Sequence, residues 1–229
     1  RVLAADLEPE SLEETLAKAA EVGGDVTPYT VDATDSDQVR AMLHAAKERF
    51  GRVDILVNVV GGSAPGGAAE LSEDAWQRNI DYNLTSVFLG CRHVIPLMRE
   101  QGGGAIVNFA SASGIRYTGA PQVAYAAAKA GVIQLTKVTA VQYAKDNIRV
   151  NCVVPGQMHT PMVEGRLARD RTGGDVELLL EQRRARIPLG WMGDGRDVAN
   201  AALFLASDEA RFVTGTEIIV DGGMTARCD

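Results

Sequence analysis

The sequence predicts an α/β fold in which helices cover both faces of an open parallel sheet. Short apolar runs alternate with longer stretches whose apolar residues recur every three or four positions. This alternation is typical of parallel βαβ units. The chain has 229 residues, 46% hydrophobic and 23% charged, which suits one domain, and no repeat or linker divides it. We therefore expect a ligand site at the carboxyl ends of the strands.

Six apolar runs are predicted to be strands, and helix signals lie between them. The predicted strands are residues 2–5, 26–31, 54–60, 105–109, 148–154 and 217–220. Pro9 can open the first helix, Asp35 or Ser36 can cap the second, Gly51 can end it, and Ser72 can cap a long third helix. Further helices are predicted at residues 121–146 and near 196–206.

Charge and cysteine content exclude several functional classes. The net charge of -7 disfavours non-specific nucleic-acid binding, and no apolar run reaches the roughly 18 residues of a membrane span. Cys91, Cys152 and Cys228 are odd in number and lack metal-ligand spacing, so neither a disulfide framework nor a metal site is predicted. Free thiols of this kind are typical of a reducing cytoplasm.

The strongest chemical signal is the pair Tyr125 and Lys129 in a predicted helix. Their spacing puts a phenol and an ammonium group on one helical face. A nearby cation favours phenolate, so a phenol that normally ionises near pH ~10 can exchange protons nearer neutrality. Hydride transfer to a carbonyl requires such a group, because the resulting alkoxide must be protonated. An ordinary exposed Tyr/Lys pair is the alternative reading of these two residues alone.

The context of the pair is informative. Ser111 and Ser113 follow the strand at 105–109, where a hydroxyl can bind a substrate oxygen, and Asn83 lies inside the long helix. With these motifs in order, the chain from Arg1 to Gly223 resembles the short-chain dehydrogenase/reductases of the Y-x-x-x-K type. The resemblance implies a Rossmann-like doubly wound sheet in a single domain.

The resemblance also implies a catalytic tetrad of Asn83, Ser111, Tyr125 and Lys129. Tyr125 would be the general acid/base, and Lys129 would bind the nicotinamide ribose and lower the pKa of the tyrosine. Ser111 would polarise the carbonyl, and Asn83 would hold a water that relays protons. Ser111 is preferred because it stands three positions after Asn108, as in the family; Ser113 would then line the pocket.

The cofactor implied is NAD. Asp6 ends a predicted strand, where an acid accepts hydrogen bonds from the ribose 2′-OH and repels a 2′-phosphate; a plain turn residue is the alternative. The other implied cofactor residues are Asp32, Ala33, Asn58, Gly61, Tyr125, Lys129, Pro155, Gly156 and Thr160. The family's N-N-A-G motif appears here with Val59 and Val60 in its middle, so only main-chain contact is expected there.

The family's first strand, its G-x-x-x-G-x-G turn and the following helix are not found in this sequence. The turn supplies the main pyrophosphate contacts, and the strand would lie between those at 2–5 and 54–60. We expect residues 1–229, made alone, to fold poorly and not to bind NAD. The chain is interpreted as an N-terminally truncated catalytic domain.

Substrate identity is the least determined feature. Residues 161–186 resemble the family's substrate lid. Its arginines are Arg166, Arg169, Arg171, Arg183, Arg184 and Arg186. They are nearly balanced by acids, which favours a solvated helix face, with an anionic substrate as the alternative. Ser113, Gln157 and His159 are candidate substrate contacts.

The function predicted is NAD-dependent interconversion of a secondary alcohol and a ketone by a homotetramer or homodimer. The rival reading is a non-catalytic dinucleotide-fold module or an inactive truncated product. The complete tetrad argues against the rival, because a binding module has no need of these four residues together.

Overall fold

The computed structural model describes residues 1–228; the side chains of Arg166, Asp170 and Arg171 lie outside the described part. The strands are β1 (Val2–Asp6), β2 (Val26–Thr30), β3 (Ile55–Asn58), β4 (Gly104–Phe109), β5 (Ile148–Pro155) and β6 (Glu217–Val220). The helices are α1 (Glu13–Glu21), α2 (Ser36–Phe50), α3 (Glu73–Ile80), α4 (Ser86–Glu100), α5 (Val123–Tyr143), α6 (Ala168–Thr172), α7 (Val176–Arg184) and α8 (Gly195–Ala206). The predicted α/β class is confirmed.

The described strands form two parallel sheets. β1 pairs with β2, and the second sheet has the order β3-β4-β5-β6. No ladder joins β1 to β3 among the described residues, which is where the sequence analysis expected another strand. The gap between the two sheets therefore falls at the position predicted for that strand, between those at 2–5 and 54–60.

Both faces of the four-stranded sheet carry helices, because successive side chains of a strand point to opposite faces. On β4, Ile106 packs into the core cluster beneath α4 and α5, whereas its neighbour Val107 packs against α8. Both side chains are fully buried. This doubly covered sheet holds the ends of β4 and β5 in fixed positions.

Helix boundaries follow the predicted signals closely. The Asp35 carboxylate caps α2 by accepting from the backbone N–H groups of Asp37 and Gln38, and Gly51 ends the helix with φ 84°. Ser72 caps α3 through its hydroxyl. These local signals depend on few residues, which is why the sequence reveals them.

Three predictions need adjustment. The strand predicted at 54–60 spans only Ile55–Asn58, because the chain leaves the sheet after Asn58. The helix predicted at 121–146 is α-helical over Val123–Tyr143 and ends in a 3₁₀ turn. The long helix that begins after Ser72 contains a π-helical segment, Asp81–Thr85, between α3 and α4.

Candidate active site

A cavity of about 250 Å³ opens where β4 and β5 end. Parallel strands direct their carboxyl ends to one edge, so the loops after β4 and β5 line it together with α5. The lining includes Gly61, Ser111, Ser113, Tyr125, Lys129, Pro155, Gly156, Gln157 and Thr160. The structure therefore brings together three members of the predicted tetrad and most of the residues predicted around the nicotinamide and the substrate.

The buried lysine is the electrostatic centre of this cavity. Lys129 is 3% exposed, and its Nζ donates to the Phe109 carbonyl at the end of β4 (2.9 Å). The same Nζ lies 5.8 Å from the centroid of the Tyr125 ring. Burial lowers the pKa of Lys129 from 10.5 to about 8, because desolvation disfavours the ammonium form.

Ser111 and Ser113 have different roles in the loop after β4. The Ser111 hydroxyl accepts from the backbone N–H of Ser113 (3.2 Å), and this bond does not use its own O–H proton. The Ser113 hydroxyl instead bonds Thr118 (3.0 Å) and accepts from the Gln122 amide (2.7 Å). Ser111 therefore retains a donor for a ligand oxygen, whereas Ser113 belongs to a side-chain cluster on the cavity wall.

Asn83 lies beneath the cavity rather than on its wall. It is fully buried in the π-helical segment, where its Nδ2 donates to the Asn79 carbonyl (3.0 Å). Its amide also bonds both backbone groups of Gly62, with Oδ1 accepting at 2.9 Å and Nδ2 donating at 3.1 Å. Asn83 thus ties the long helix to the loop after β3.

The loop after β3 approaches the lysine closely at Gly61. A Cβ added there would lie 2.7 Å from Lys129 Nζ and 2.8 Å from Asn83 Oδ1. Only glycine fits at this distance. The loop, Asn83 and Lys129 therefore form one compact contact at the edge of the cavity.

Asn58 points away from the cavity. Its Nδ2 donates to Asn108 Oδ1 (2.8 Å), and the Asn108 amide donates to Thr136 on α5 (2.9 Å). A Cβ on Gly90 would meet Asn58 Oδ1 at 2.4 Å. The side chain of Asn58 therefore joins β3, β4 and the helices, which agrees with the expectation that this loop offers a ligand only its main chain.

The predicted adenosine-side residues lie at the carboxyl ends of β1 and β2. Asp6 Oδ1 accepts from the backbone N–H of Glu8 (3.0 Å). Asp32 Oδ1 accepts from both the backbone N–H and the hydroxyl of Thr34 (2.8 and 2.6 Å), so this carboxylate stabilises the turn before α2. Ala33 follows in the same turn. None of these three residues lines the cavity.

The loop after β5 contains the remaining predicted residues. Gly156 packs against Asp221, since a Cβ there would lie 2.5 Å from Asp221 Cβ. Gln157 is 6% exposed and lines the cavity. His159 does not line it; its Nε2 lies 2.9 Å from Glu164 Oε1 in a partly exposed pair. The structure therefore supports Gln157, but not His159, as a candidate substrate contact.

Sequence reasoning missed the apolar wall of the cavity. Met158, Met162, Val163, Leu167 and Met224 line it. Within residues 161–186, α7 buries Leu179 and Leu180 against Val163 and Leu167. The i, i+4 spacing of Val163 and Leu167 was the available signal. Because many neighbouring residues are charged, the sequence analysis favoured a solvated helix face over an apolar wall.

One lid arginine is buried rather than solvated. Arg183 is 7% exposed, lines the cavity and donates from Nη2 to the Met158 carbonyl (3.3 Å). A solvated helix face is therefore wrong for this arginine, although Arg184 on the same helix is exposed and pairs with Glu177. The side chains of Arg166 and Arg171 lie outside the described residues.

No described helix has the length and apolar character needed to cross a membrane. The described residues also contain no cluster of three or more His, Cys, Asp or Glu side chains that could hold a metal ion.

A phenol, a buried ammonium and a hydroxyl can together move a proton to or from a ligand oxygen in this cavity. Beside the carboxyl ends of a parallel sheet, this arrangement is that of a nicotinamide-dependent α/β oxidoreductase. A family model described as enoyl-(acyl carrier protein) reductase matches residues 1–225. The chain belongs to the short-chain dehydrogenase/reductase family.

Individual relatives match over nearly the whole chain. A crystal structure of a putative short-chain dehydrogenase/reductase from Burkholderia xenovorans is 59% identical, with a TM-score of 0.96, covering 100% of this chain and 86% of that one. The 3-oxoacyl-[acyl-carrier-protein] reductase FabG of Thermotoga maritima is 40% identical, covering 97% of this chain and 87% of FabG. The 2,5-dichloro-2,5-cyclohexadiene-1,4-diol dehydrogenase LinX of Sphingobium indicum is 36% identical, covering 97% of this chain and 85% of LinX.

Proposed function

We propose that this protein is an NAD-dependent oxidoreductase that interconverts a secondary alcohol and a ketone, with Tyr125 as the general acid/base. The observation that carries the proposal is the meeting of Ser111, Tyr125 and Lys129 on one cavity, with Lys129 buried beside the Tyr125 ring. A buried ammonium next to a phenol favours the phenolate. Residues 1–229 belong to one catalytic domain, and residues 161–186 form its lid.

In the direction of alcohol oxidation, Ser111 donates a hydrogen bond to the substrate oxygen and orients it. Tyr125, as phenolate, takes the hydroxyl proton while the carbon–hydrogen bond breaks and the carbonyl forms. A bound nicotinamide dinucleotide supplies the hydride acceptor for this reaction. In the reverse direction Tyr125 returns the proton to the developing alkoxide.

Lys129 and Asn83 support the tyrosine. The Phe109 carbonyl accepts from Lys129 Nζ and fixes the ammonium beside the Tyr125 ring. Lys129 also binds the nicotinamide ribose hydroxyls, because an ammonium has further protons to donate. Asn83 acts from below by holding the Gly62 backbone, and it orders the water that returns protons to the lysine.

The residues present fit a nicotinamide dinucleotide. Gly61 leaves a space at Lys129 Nζ that a Cβ would fill, which permits close approach of the ribose. The cofactor is NAD, because the Asp6 carboxylate at the end of β1 accepts from a ribose 2′-OH and repels a 2′-phosphate. The residues that hold it are Asp6, Asp32, Ala33, Asn58 and Gly61 through their loops, Tyr125, Lys129, Pro155, Gly156 and Thr160.

The substrate is a compact, neutral secondary alcohol or ketone. The nicotinamide shares the cavity of about 250 Å³, so the space left for the substrate is smaller than the roughly 300–1,000 Å³ of pockets for drug-sized ligands. Ser113 and Gln157 contribute polar groups to its wall, and the lid contributes apolar ones. Relatives are named 3-oxoacyl-[acyl-carrier-protein] reductase and 2,5-dichloro-2,5-cyclohexadiene-1,4-diol dehydrogenase, which supports a secondary alcohol or ketone.

The active protein is a homotetramer or homodimer in a reducing cytoplasm. Large apolar side chains are exposed beside the last strand, among them Leu203, Phe204, Phe212 and Ile219. An exposed apolar group of this size is typical of a protein interface. The described cysteines are free thiols, which agrees with a reducing compartment.

The substitution Tyr125→Phe tests this function. It removes only the phenolic oxygen, so kcat should fall by about 10²- to 10⁴-fold while the Kd for NADH stays within about threefold. Tyr143→Phe on the same helix is the matched control, because Tyr143 does not line the cavity. Near-wild-type turnover in Tyr125→Phe would contradict the acid/base role of Tyr125, whereas a wild type that binds NADH without turnover would leave a binding module as the better account.

A further inference from the structure

Gln157 presents an unsatisfied polar atom to the cavity. The side chain is 6% exposed, and its Oε1 has no hydrogen-bond partner among the described residues. A buried carboxamide oxygen without a partner costs free energy, so native proteins rarely keep one without a reason. Gln157 lines the same cavity as Ser111 and Tyr125. A ligand in that cavity can supply the missing hydrogen bond.

The sheet register brings Gln157 near the reacting position. β4 and β5 are neighbouring parallel strands, with Phe109 opposite Val153. Ser111 stands two residues beyond this register pair, whereas β5 continues to Pro155 and Gln157 stands four residues beyond it, and both side chains line the cavity. Since neighbouring strands lie about 4.8 Å apart, the two loops leave the sheet side by side. One small molecule can therefore reach both side chains.

The other amide on the cavity wall shows what is unusual about Gln157. Gln122 is similarly buried, at 8% exposure, but its Nε2 donates to the hydroxyls of Ser113 (2.7 Å) and Thr118 (3.3 Å). That cluster is satisfied within the protein. Of these two side-chain amides, only Gln157 has an oxygen that requires a hydrogen-bond partner from outside the protein.

We propose that the substrate is a diol or hydroxy ketone, whose second oxygen lies close to the reacting carbinol and bonds the Gln157 amide. This inference rests on the proposed function and names its substrate class. A hydroxyl both donates and accepts, so it satisfies the amide in either orientation. A carboxylate only accepts and would face the Gln157 oxygen unfavourably. Arg183, which also lines the cavity, donates from Nη2 to the Met158 carbonyl.

The size and lining of the cavity agree with such a molecule. A volume of about 250 Å³ admits a compact ring or short chain. Met158, Met162 and Met224 supply apolar contact for its carbon skeleton. Flexible methionines adapt to irregular shapes, so the position of the second oxygen, rather than the skeleton, selects the substrate.

The test uses cyclohexanol and cyclohexane-1,2-diol as probes, with NAD and the full-length protein. The wild type should show a kcat/KM for the diol roughly tenfold to a hundredfold higher than for cyclohexanol. Gln157→Leu should abolish this preference, measured as the ratio of kcat/KM for the diol to kcat/KM for cyclohexanol. It should also raise the Tm of the ligand-free protein by about 2–4 °C, because it removes the unsatisfied oxygen at similar volume.

Gln122→Leu is the matched control. It breaks satisfied hydrogen bonds, so Tm should fall and the two probes should lose activity in equal proportion. If Gln157→Leu behaves in this way, Gln157 is structural and the inference is wrong. Turnover of neither probe by the wild type would also overturn the substrate class, whereas Tyr125-dependent turnover of another alcohol would leave the proposed function standing.

Discussion

The two sheets of this protein differ in how far residues 1–228 bury their side chains, and the less buried sheet lies beside the gap where the sequence analysis expects another strand. In the two-stranded unit, β1 and β2 contain no fully buried residue, and neither does α1. In the four-stranded sheet, four of six residues of β4 and six of eight residues of β5 are buried. The dense sheet carries the proposed acid/base site, and the sparse unit carries the proposed cofactor-selecting Asp6.

The proposed roles of the two regions have different physical requirements. Proton exchange needs Ser111, Tyr125 and Lys129 held within a fraction of an ångström, which close packing around β4 and β5 provides. Cofactor selection needs only one carboxylate at a strand end, because charge acts over a longer range than a bond. We therefore expect mutations in the two regions to have separable effects.

The largest separation should appear in stability. Ile106→Ala empties a fully buried site on β4 and should lower the free energy of unfolding by about 2–5 kcal/mol. Leu3→Ala on β1, where residues 1–228 bury the side chain only in part, should cost less, because less apolar surface is lost. Urea denaturation of both variants measures the difference. Equal losses would show that the two regions are packed equally well.

A second effect should appear only in the dense region, in the pH dependence of stability. Burial lowers the pKa of Lys129 to about 8, whereas the unfolded chain keeps the ordinary value of 10.5. Below pH 8 both states hold the proton, and the folded state bears the cost of a buried ammonium. Between pH 8 and pH 10.5 the unfolded state binds more protons than the folded state, so the free energy of unfolding rises with pH.

Lys129→Met removes this titration. At pH 7 the cofactor-free variant should be more stable than the wild type, and the advantage should shrink by about 3 kcal/mol as the pH rises from 8 to 10.5. Lys145→Met, at an exposed position just after α5, controls for the loss of one charge. An advantage that does not change with pH would mean that the Lys129 ammonium is not destabilised by burial.

Local sequence signals predicted much of the dense region. The last strand was predicted with its observed bounds, Glu217–Val220, and the caps of α2 and α3 were identified. Such signals act over a few residues, so one sequence suffices. Tyr125 and Lys129 were predicted by spacing on one helix, and the structure shows them together.

Features that depend on distant contacts were not predicted. The π-helical segment at Asn83 arises where the helix meets the Gly62 backbone 21 residues earlier, and spacing gives no sign of it. The buried Arg183 looks like a surface residue in the sequence, because it is enclosed only when α7 packs against Val163 and Leu167. The substrate side of the cavity was therefore the least predictable part.

The central claim is that the sparse unit selects the cofactor while the dense sheet performs the chemistry. The ratio of kcat/KM with NAD to kcat/KM with NADP tests it most directly, measured on the full-length wild type, Asp6→Ala and Asp25→Ala. Asp25 precedes β2, so Asp25→Ala removes the same charge at the opposite end of the two-stranded unit. We predict that the wild type prefers NAD and that Asp6→Ala lowers the ratio by about tenfold, while Asp25→Ala leaves it unchanged. A wild type that prefers NADP, or a ratio unaltered by Asp6→Ala, would contradict the claim.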